Sequence, residues 1–405
     1  MRSMLASIAA GSLFAALALA QPLTSQPQPR YTVTDLGTLG GAGTNSNAFG
    51  INVAGWVAGS SNLTTGGPQR AFLWYGFGPL SDLGALDGSK CPTCNSVAYA
   101  PNAFGEAAIT SETSKTDPNG EDFCGYGTHR QCLGAIWRDG FMTLLPTLLG
   151  GNKGNASAFD LNDQGQVVGF SENGKSDPTC ATATPYQQFQ FEAVIWEANL
   201  EIRKLRPLPR DTVGFAFGIN DNGQAVGSSG LCSNTSDVPT APHAVLWESD
   251  GSPRDLGHLE GTPAGVYNVA TSINDLGEVV GFACAGPDTN PATCIKHGFL
   301  WTRETGMQDL GIFPGAIFTG PPITNTINNK GEIVGVAIFA TSTLSCPLYE
   351  CAVVRQGNVW VDLNTLIPAD SGWYLVCAQG VNDAGEITGF GVINGEVHAY
   401  LAIPR

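Results

Sequence analysis

The 11 cysteines of this sequence are the residues whose spacing most directly suggests chemistry. Two of them form the motif Cys91-Pro-Thr-Cys94. Within a βαβ unit such a motif would indicate thiol–disulfide exchange, and together with a second closely spaced cysteine pair it would indicate a zinc site. Neither setting is present, so we predict structural disulfides of the kind found in exported proteins. Cys377 is expected to stay unpaired as a buried thiol in a strand. The predicted pairs are Cys91–Cys94, Cys124–Cys132, Cys180–Cys232, Cys284–Cys294 and Cys346–Cys351.

Carboxylate and amide groups crowd the segment TDPNGED at 116–122, which is the best calcium candidate in the chain. Its ligands would be Asp117, Asn119, Glu121 and Asp122. Asn and Asp also recur in turns of the form N-D-x-G. These turns lack the regularly spaced acids and the closing Glu of a calcium loop, so ordinary turn formation explains them better.

Histidines and catalytic motifs offer little sign of an active site. His243, His297 and His398 each precede the same type of strand in different sequence repeats, so we expect them to be spread apart and not to share a metal. The chain contains no G-x-S-x-G, H-E-x-x-H, P-loop or dinucleotide-binding motif, and we expect no cofactor. Carboxylates from different repeats could still be paired for glycoside cleavage.

A twelve-residue motif, written for example as GINDNGQAVGSS at 218–229, recurs at spacings of 50, 60, 58, 54, 54 and 54 residues. Its Asn opens a turn by bonding to its own backbone, and a Gly three residues later suits positive φ. The motif therefore predicts a hairpin, with an apolar pair opening the return strand. We number the repeats 1 to 7 by their asparagines: Asn52, Asn102, Asn162, Asn220, Asn274, Asn328 and Asn382.

Two further motifs complete each repeat and predict the fold class. Apolar runs such as AVLW at 244–247 follow the hairpin, and runs such as DLGHL at 255–259 end most repeats. Four short strands, A to D, in about 54 residues are typical of a propeller blade. We therefore predict an all-β protein, a seven-bladed β-propeller of four-stranded blades. A different blade count or a β-sandwich array is the alternative.

The first and last residues of the repeat region predict how the ring closes. The third motif occurs once before repeat 1, as YTVTDLGTL at 31–39, and is missing after repeat 7. We therefore expect the N-terminal strand to supply the outer strand of the last blade, which would remove an exposed sheet edge. Residues 31–405 would then form a single propeller domain.

The repeat units resemble the HAF-repeat family of bacterial extracellular repeat proteins. The resemblance rests on strings such as DLGTLGG, AFLW and HAVLW…DLGHL, and it covers essentially 31–405. It implies an exported, repeat-built, propeller-like protein. It implies no reaction, ligand or catalytic residue.

The N-terminus and the charge predict export. Residues 1–20 combine Arg2, an apolar run and Ala18-Leu19-Ala20, as in a signal peptide, and 21–30 read as a Pro/Gln linker. The formal charge of −16 without basic clusters argues against nucleic acid as a partner. We expect a secreted or periplasmic monomer without a transmembrane segment in the mature chain.

Loop residues provide the candidate binding site. The B–C and D–A loops emerge on one face of a propeller, and those at 112–133 and 172–192 are the longest; we call this the loop face. We predict a non-enzymatic binding module for a protein or glycan. A polysaccharide hydrolase or lyase, and a structural cell-envelope or surface protein, are the alternatives. Aromatic candidates for the binding site are Tyr126, Tyr186, Phe189, Tyr267 and Phe318.

Overall fold

A computed structural model of the chain describes most of the repeat region. The predicted signal peptide at 1–20, the linker at 21–30 and the candidate Tyr186 lie outside the described residues. The described residues are 31–177, 180, 187–232, 243–263, 265–288, 290, 293–323, 325–344 and 346–405.

The described residues form β-strands joined by turns, with short 3-10 turns at Gly88–Lys90 and Leu363–Leu366. The strands fall into four classes by their position in the repeat. The A strands are β2 (Ser46–Ile51), β6 (Ser96–Pro101), β10 (Ala156–Leu161), β14 (Val213–Ile219), β18 (Asn268–Ile273), β22 (Phe318–Gly320) and β26 (Trp373–Val381). The B strands are β3 (Val57–Asn62), β7 (Ala107–Thr116), β11 (Val167–Ser176), β15 (Ala225–Gly230), β19 (Val279–Ala285), β23 (Val334–Ile338) and β27 (Ile387–Ile393).

The remaining strands lie at the C and D positions. The C strands are β4 (Gln69–Trp74), β8 (Arg130–Arg138), β12 (Phe189–Trp196), β16 (His243–Trp247), β20 (Ile295–Thr302), β24 (Glu350–Gln356) and β28 (Glu396–Pro404). The D strands are β5 (Ser81–Gly84), β9 (Phe141–Leu144), β13 (Ile202–Lys204), β17 (Pro253–Asp255), β21 (Gly306–Asp309), β25 (Val359–Asp362) and β1 (Tyr31–Asp35).

Within each repeat, strands A to D pair antiparallel in sequence order. Five sheets have four strands. The sheets of repeats 5 and 6 are joined where β20 pairs parallel with β22, Lys296 opposite Phe318. The N-terminal β1 pairs with β28, from Tyr31 opposite Pro404 to Asp35 opposite Tyr400. The N-terminal strand therefore completes the sheet of repeat 7, as the sequence predicts, and the architecture is propeller-like.

The core lies between neighbouring sheets, in a series of apolar clusters. One cluster joins Val168 and Ile195 of repeat 3 to Ala216 and Trp247 of repeat 4. Another joins Phe72 and Ala48 of repeat 1 to Leu401 of repeat 7, so the first and last repeats pack together. Burial of this apolar surface is what favours sheet-on-sheet packing. The recurring tryptophans of repeats 3 and 4 are fully buried there, as their shared strand position predicts.

The second glycine of the repeat motif has a packing explanation. Strand A carries a register shift between Ala216 and Gly218. This brings the carbonyl oxygen of Phe215 so close to strand B that a Cβ at Gly227 would lie 1.8 Å from it. Only glycine fits there. Repeat 2, which has Ile109 at this position, has a wider shift, between Ala98 and Pro101.

The structure contains five disulfide bonds and one free, buried thiol at Cys377. The bond between Cys180 and Cys232 links the loop faces of repeats 3 and 4, and each of the others closes a short local loop. The cluster of Cys346, Cys351 and Asp362 offers no thiolate to a metal because its two sulfurs are bonded. The pairs are those expected from the sequence: Cys91–Cys94, Cys124–Cys132, Cys180–Cys232, Cys284–Cys294 and Cys346–Cys351.

Two details differ from the sequence interpretation. Residues 112–116 and 172–176 were expected in loops but extend strands β7 and β11. They do so because cross-strand pairing resumes at Thr116 and Ser176 after a bulge. Among the described residues, no helix has the length and apolar character needed to cross a membrane.

Candidate functional site

The seven motif asparagines form a closed circuit of hydrogen bonds. Each side chain first organises its own turn: Asn274 Oδ1 accepts from the N–H of Leu276 at 3.1 Å and of Glu278 at 2.9 Å. Its Nδ2 then donates to the carbonyl oxygen of Asn328 in the next repeat, at 2.9 Å. The same bond links every successive pair, and Asn382 donates to Asn52 at 3.0 Å. The inner ends of all seven repeats are thereby held together.

A second layer of bonds comes from the residue after each asparagine. The N–H of Asp221 donates to Asp275 Oδ1 at 2.8 Å, and four equivalent bonds have the same length. The acceptors are Asp163, Asp221, Asp275, Asn329 and Asp383. Repeats 1 and 2 carry Val53 and Ala103 instead, whose side chains cannot accept. This layer is therefore interrupted in repeats 1 and 2.

The two layers surround an acidic pocket of about 150 Å³, which we call the axial pocket. Asp163, Asp221, Asp275 and Asp383 line it together with Asp160, and none of the described lining residues is basic. Burial raises the pKa of Asp160 to about 7. Burial also raises the pKa of Asp221, and the neighbouring carboxylates of Asp163 and Asp275 add to this shift. The pocket is therefore suited to hydrogen-bond donors and cations.

The sequence interpretation missed this convergence. It assigned the N-D-x-G acids to local turn formation, and each of them does belong to a turn. Recurrence of Asp directly after the motif asparagine in repeats 3, 4, 5 and 7 was the available signal. It becomes informative only once the turns are known to meet on one axis.

Aromatic rings occupy the inner strands beyond the axial pocket. Tyr99 contacts Phe49 with ring centroids 5.4 Å apart and Phe159 at 4.7 Å, and Phe159 contacts Phe217 at 5.2 Å. These rings come from the bulged position of strand A in repeats 1 to 4. The row continues through Phe170 into the loop face. This side of the molecular axis is therefore filled with apolar side chains.

The predicted aromatic binding residues do not form one site. Tyr126 and Phe189 are half-buried and lie in separate repeats. Tyr267 is buried beside the Cys284–Cys294 bond. Tyr267 and Phe318 do lie on either side of Phe282, with ring centroids 6.0 Å and 5.2 Å from it.

Three of the four candidate calcium ligands, Asp117, Asn119 and Glu121, come together, because the Asn119 side chain hydrogen-bonds to Glu121. Asn155 Nδ2 donates to Asp117 at 2.8 Å and to both Glu121 and Glu172 at 3.2 Å. Asp122 instead accepts from the N–H of Gly127 within its own loop, at 2.7 Å, and the Asn119 N–H donates to Asp117. Sequence reasoning missed Glu172 because it comes from the next repeat.

The environment of this buried carboxyl cluster favours the protonated, neutral form of its two glutamates. Burial raises the pKa of Glu121, and burial together with the Glu121 carboxyl raises the pKa of Glu172 to about 9. The cluster links the B–C loop of repeat 2 to repeat 3, since Glu121 also accepts from the Gln188 N–H. Both glutamates are almost fully buried. They are therefore out of reach of a polymeric substrate.

The three histidines each pair with an aspartate and do not converge. His243 Nδ1 lies 3.0 Å from Asp211. His297 and His398 lie 2.9 Å from Asp309 and Asp35. Because these pairs belong to repeats 4, 5 and 7, they provide no shared site among the described residues.

Exposed apolar side chains do come together on the loop face of repeats 5 and 6. Ile295, Ile317, Leu348 and Tyr349 are each 46% to 54% exposed, and Phe318 is half-buried beside them. We call these five residues the loop-face patch.

Backbone hydrogen bonds hold the loop-face patch together. The Lys296 N–H donates to the Ile317 carbonyl at 3.1 Å, and the Ile317 N–H donates to Ile338 at 2.8 Å. The Phe339 N–H donates to the Tyr349 carbonyl at 2.8 Å. The patch therefore rests on a rigid junction of two sheets.

Solved structures share this architecture. No protein-family model and no curated protein matches the sequence. A puromycin hydrolase matches 91% of this chain and 54% of its own, with a TM-score of 0.52 and 11% identity. A puromycin hydrolase mutant in complex with PGG matches 86% of this chain and 50% of its own, with a TM-score of 0.50 and 12% identity. The chain thus spans about half the length of these proteins, and the likeness shows the fold alone.

A third solved structure matches the chain more weakly. An oligogalacturonate lyase in complex with manganese matches 93% of this chain and 96% of its own, at 12% identity. Its TM-score is 0.46.

Proposed function

We propose that this chain is an exported, seven-bladed β-propeller of the HAF-repeat type that binds a protein partner through its loop face. Seven asparagine-anchored turns joined in one closed circuit support seven blades. Five disulfides support a destination in an oxidising compartment.

The loop-face patch is the observation that carries the binding function. A group of exposed apolar side chains on a rigid scaffold marks an interaction site more often than a single exposed residue does. The patch includes Phe318, a residue already expected to bind. It lies in repeats 5 and 6, whereas the sequence favoured the loops of repeats 2 and 3, which the buried carboxyl cluster ties down.

The chemistry of the patch favours a protein over a glycan. Three of its five side chains are aliphatic: Ile295, Ile317 and Leu348. Aliphatic groups gain from apolar burial but offer neither a stacking face nor hydrogen bonds to sugar hydroxyls. Only Tyr349 adds an exposed aromatic ring with a polar end, a combination frequent at protein interfaces.

The carboxylates of the axial pocket support a catalytic function less well than the loop-face patch supports a binding function. The axial carboxylates accept backbone N–H bonds from neighbouring turns, and no basic group lines their pocket among the described residues. In a glycoside hydrolase one carboxyl acts as acid and a second as base or nucleophile, whereas Asp221, Asp275 and Asp383 each use one carboxylate oxygen to accept a backbone N–H.

A double substitution tests the proposed binding site. The purified chain and its Ile317→Ser/Tyr349→Ser variant would be immobilised and exposed to extracellular proteins of the source organism and to a glycan array. We expect a partner, identified by mass spectrometry, that the wild type retains and the variant loses by at least about tenfold in affinity. Binding that the variant leaves unchanged would contradict the assignment.

Matched controls separate this effect from unfolding and from catalysis. Leu276→Ser removes an exposed apolar side chain at the opposite end of the molecule, so this variant should bind the partner as the wild type does. Incubation with pectic and other polysaccharides, followed by assay of new reducing ends and unsaturated products, tests the enzymatic alternative. Turnover that an Asp221→Asn/Asp275→Asn variant abolishes would favour that alternative.

A further inference from the structure

We propose that the face opposite the loops carries a second docking surface, in repeats 1 and 2, for a basic polypeptide segment. Apolar side chains of that segment would pack on Phe77, Phe104 and Phe141, while a Lys or Arg side chain enters the axial pocket. This face is formed by the A–B turns and C–D loops, and we call it the turn face.

Three phenylalanines and a valine of repeats 1 and 2 are exposed on the turn face. Phe77, Phe104 and Phe141 are 72% to 80% exposed, and Val53 is 66% exposed. Phe104 and Val53 belong to A–B turns. Phe77 belongs to the C–D connection of repeat 1, and Phe141 is the first residue of strand D in repeat 2. Covering phenylalanine side chains that are this exposed would bury a large apolar area, which contributes favourable binding free energy.

The surface between these side chains is also aromatic. Trp56 and Tyr75 of repeat 1 are half-buried and meet edge to face, with ring centroids 5.1 Å apart. The Trp56 ring reaches repeat 2, where a Cβ at Gly105 would lie 2.4 Å from it. Gly105 directly follows Phe104, so one apolar surface runs across the boundary between the two repeats. We call it the turn-face patch, made of Val53, Trp56, Tyr75, Phe77, Phe104 and Phe141.

The fold does not require apolar residues at these positions. Where repeat 2 has Phe104, repeats 3, 4 and 6 have Gln164, Asn222 and Lys330. Where repeats 1 and 2 have Val53 and Ala103, most other repeats have Asp. The turn-face patch thus occupies the sector in which the second layer of hydrogen bonds is interrupted.

The negative charge of the axial pocket indicates which kind of partner this surface would bind. Val53 and Ala103 line the axial pocket together with Asp163, Asp221 and Asp275, so the apolar patch leads directly into an acidic cavity. Arg138, beside Phe141, is already paired with Glu106. A segment that combines apolar side chains with an unpaired cation is complementary to this surface. A second copy is disfavoured because the chain carries a formal charge of −16.

Selection from a library of random twelve-residue peptides displayed on phage, with the purified chain as bait, tests the proposal. We expect enriched peptides in which Lys or Arg alternates with Phe, Leu or Trp. Their synthetic forms would be titrated by fluorescence polarisation at low and high salt. The charge component should make affinity fall as salt rises.

Substitutions then assign the two halves of the surface. Phe104→Ser/Phe141→Ser should lower peptide affinity by at least about tenfold. Asp221→Asn/Asp275→Asn should lower it several-fold and flatten the salt dependence, while Asn keeps the acceptor oxygen of the turn, as Asn329 does in repeat 6. Leu276→Ser and Val359→Ser remove exposed apolar groups elsewhere on this face and should change affinity less than about twofold.

Several results would overturn the proposal. These are no enrichment, enrichment of neutral or acidic peptides, or binding that survives the phenylalanine substitutions in variants whose melting temperature is unchanged. Sedimentation showing a dimer that these substitutions dissolve would assign the patch to a second copy. Co-flotation with phosphatidylcholine vesicles, lost in the same variant, would assign it to a lipid surface. Because the loop-face patch lies at the other end, failure of this proposal leaves the proposed function intact.

Discussion

At the scale of single residues, the motif asparagine stabilises two repeats at once. Asn274 is buried, and its amide uses both the acceptor oxygen, within its own turn, and the donor nitrogen, toward Asn328 and Glu278. Aspartate could replace the first function but not the second. The identity of the residue therefore follows from its dual role.

We expect Asn274→Asp to lower the free energy of unfolding by about 2 kcal/mol or more. It removes the side-chain bond to the Asn328 carbonyl, which then keeps only the Gly331 N–H, and it places a carboxylate beside Glu278. Chemical denaturation measures the change. Asn199→Asp is the matched control, since Asn199 is exposed and uses only its acceptor oxygen, toward the Glu201 N–H. Equal stability of the two variants would show that the circuit contributes little.

The buried carboxyl cluster predicts a dependence of stability on pH. The pKa of Glu172 is about 9 in the folded protein and about 4.3 in an unfolded chain. Its contribution to stability is therefore complete below the unfolded value and is lost as pH rises through the folded value. We expect Glu172 to lower the free energy of unfolding between about pH 5 and 9, by at most about 1.4 kcal/mol per pH unit from this one carboxyl.

Glu172→Gln should flatten this alkaline decline, because glutamine cannot ionise and keeps an acceptor oxygen for Asn155. Melting temperatures from pH 5 to 9 for the wild type and the variant test this at roughly unit steps of pH. Glu304→Gln, at an exposed site, should leave the decline unchanged. A wild-type melting temperature that rises with pH over this interval would contradict the prediction.

At the scale of elements, β1 is the strand on which closure depends. Its Tyr31 is buried in the cluster between repeats 6 and 7, and Leu36, just after the strand, in the cluster between repeats 7 and 1. Removing residues 31–39 should therefore expose an edge of β28 and open two core clusters. We expect the melting temperature to fall by about 10 °C or more, whereas removing only residues 21–30 should not matter. A small or absent change on loss of 31–39 would show that β1 is dispensable.

The disulfides should differ in their effect because they restrict the unfolded chain to different extents. Cys180 and Cys232 are 52 residues apart, and Cys91 and Cys94 are 3 apart. Loop-closure entropy predicts about 4 kcal/mol for the first bond and about 2 kcal/mol for the second. Chemical denaturation of the Cys180→Ser/Cys232→Ser and Cys91→Ser/Cys94→Ser variants should show this order. The reverse order would mean that native packing, and not chain entropy, dominates.

At the scale of the whole molecule, the pairing of β1 with β28 suggests that the propeller could fold equally well with its chain ends placed in another repeat. Tyr31 lies directly opposite Pro404, so a short Asn-Gly linker could join the ends as a hairpin. New ends between Gly357 and Asn358, in an exposed turn of repeat 6, should give a permuted chain that folds. We expect its melting temperature to stay within about 5 °C of the wild type. Loss of folding in this permutant, measured by calorimetry, would mean that folding requires the chain ends to lie at the pairing of β1 with β28.

Much of the fold was predictable because its determinants are local. Asn and Gly specify each turn through the backbone of five residues, and apolar runs specify the strands that follow. The seven anchors, the four strands per repeat and the N-terminal closing strand all follow from these patterns. The disulfide pairs followed too. Four join cysteines that are close together within one repeat, and Cys180 and Cys232 occupy equivalent places in adjacent repeats, which the repeat itself brings together.

The candidate sites depended on tertiary structure because their residues are distant in sequence and meet only when the repeats close on one axis. Asn382 donates to Asn52 across 330 residues. Glu172 changes the pKa of Glu121 from the neighbouring repeat. Whether Phe104 is buried or exposed is equally invisible in its local sequence, since a hairpin turn can face a neighbour or solvent. The chain alone therefore determined the repeating unit, while packing of one unit against the next decided which side chains converge in the axial pocket and which remain exposed.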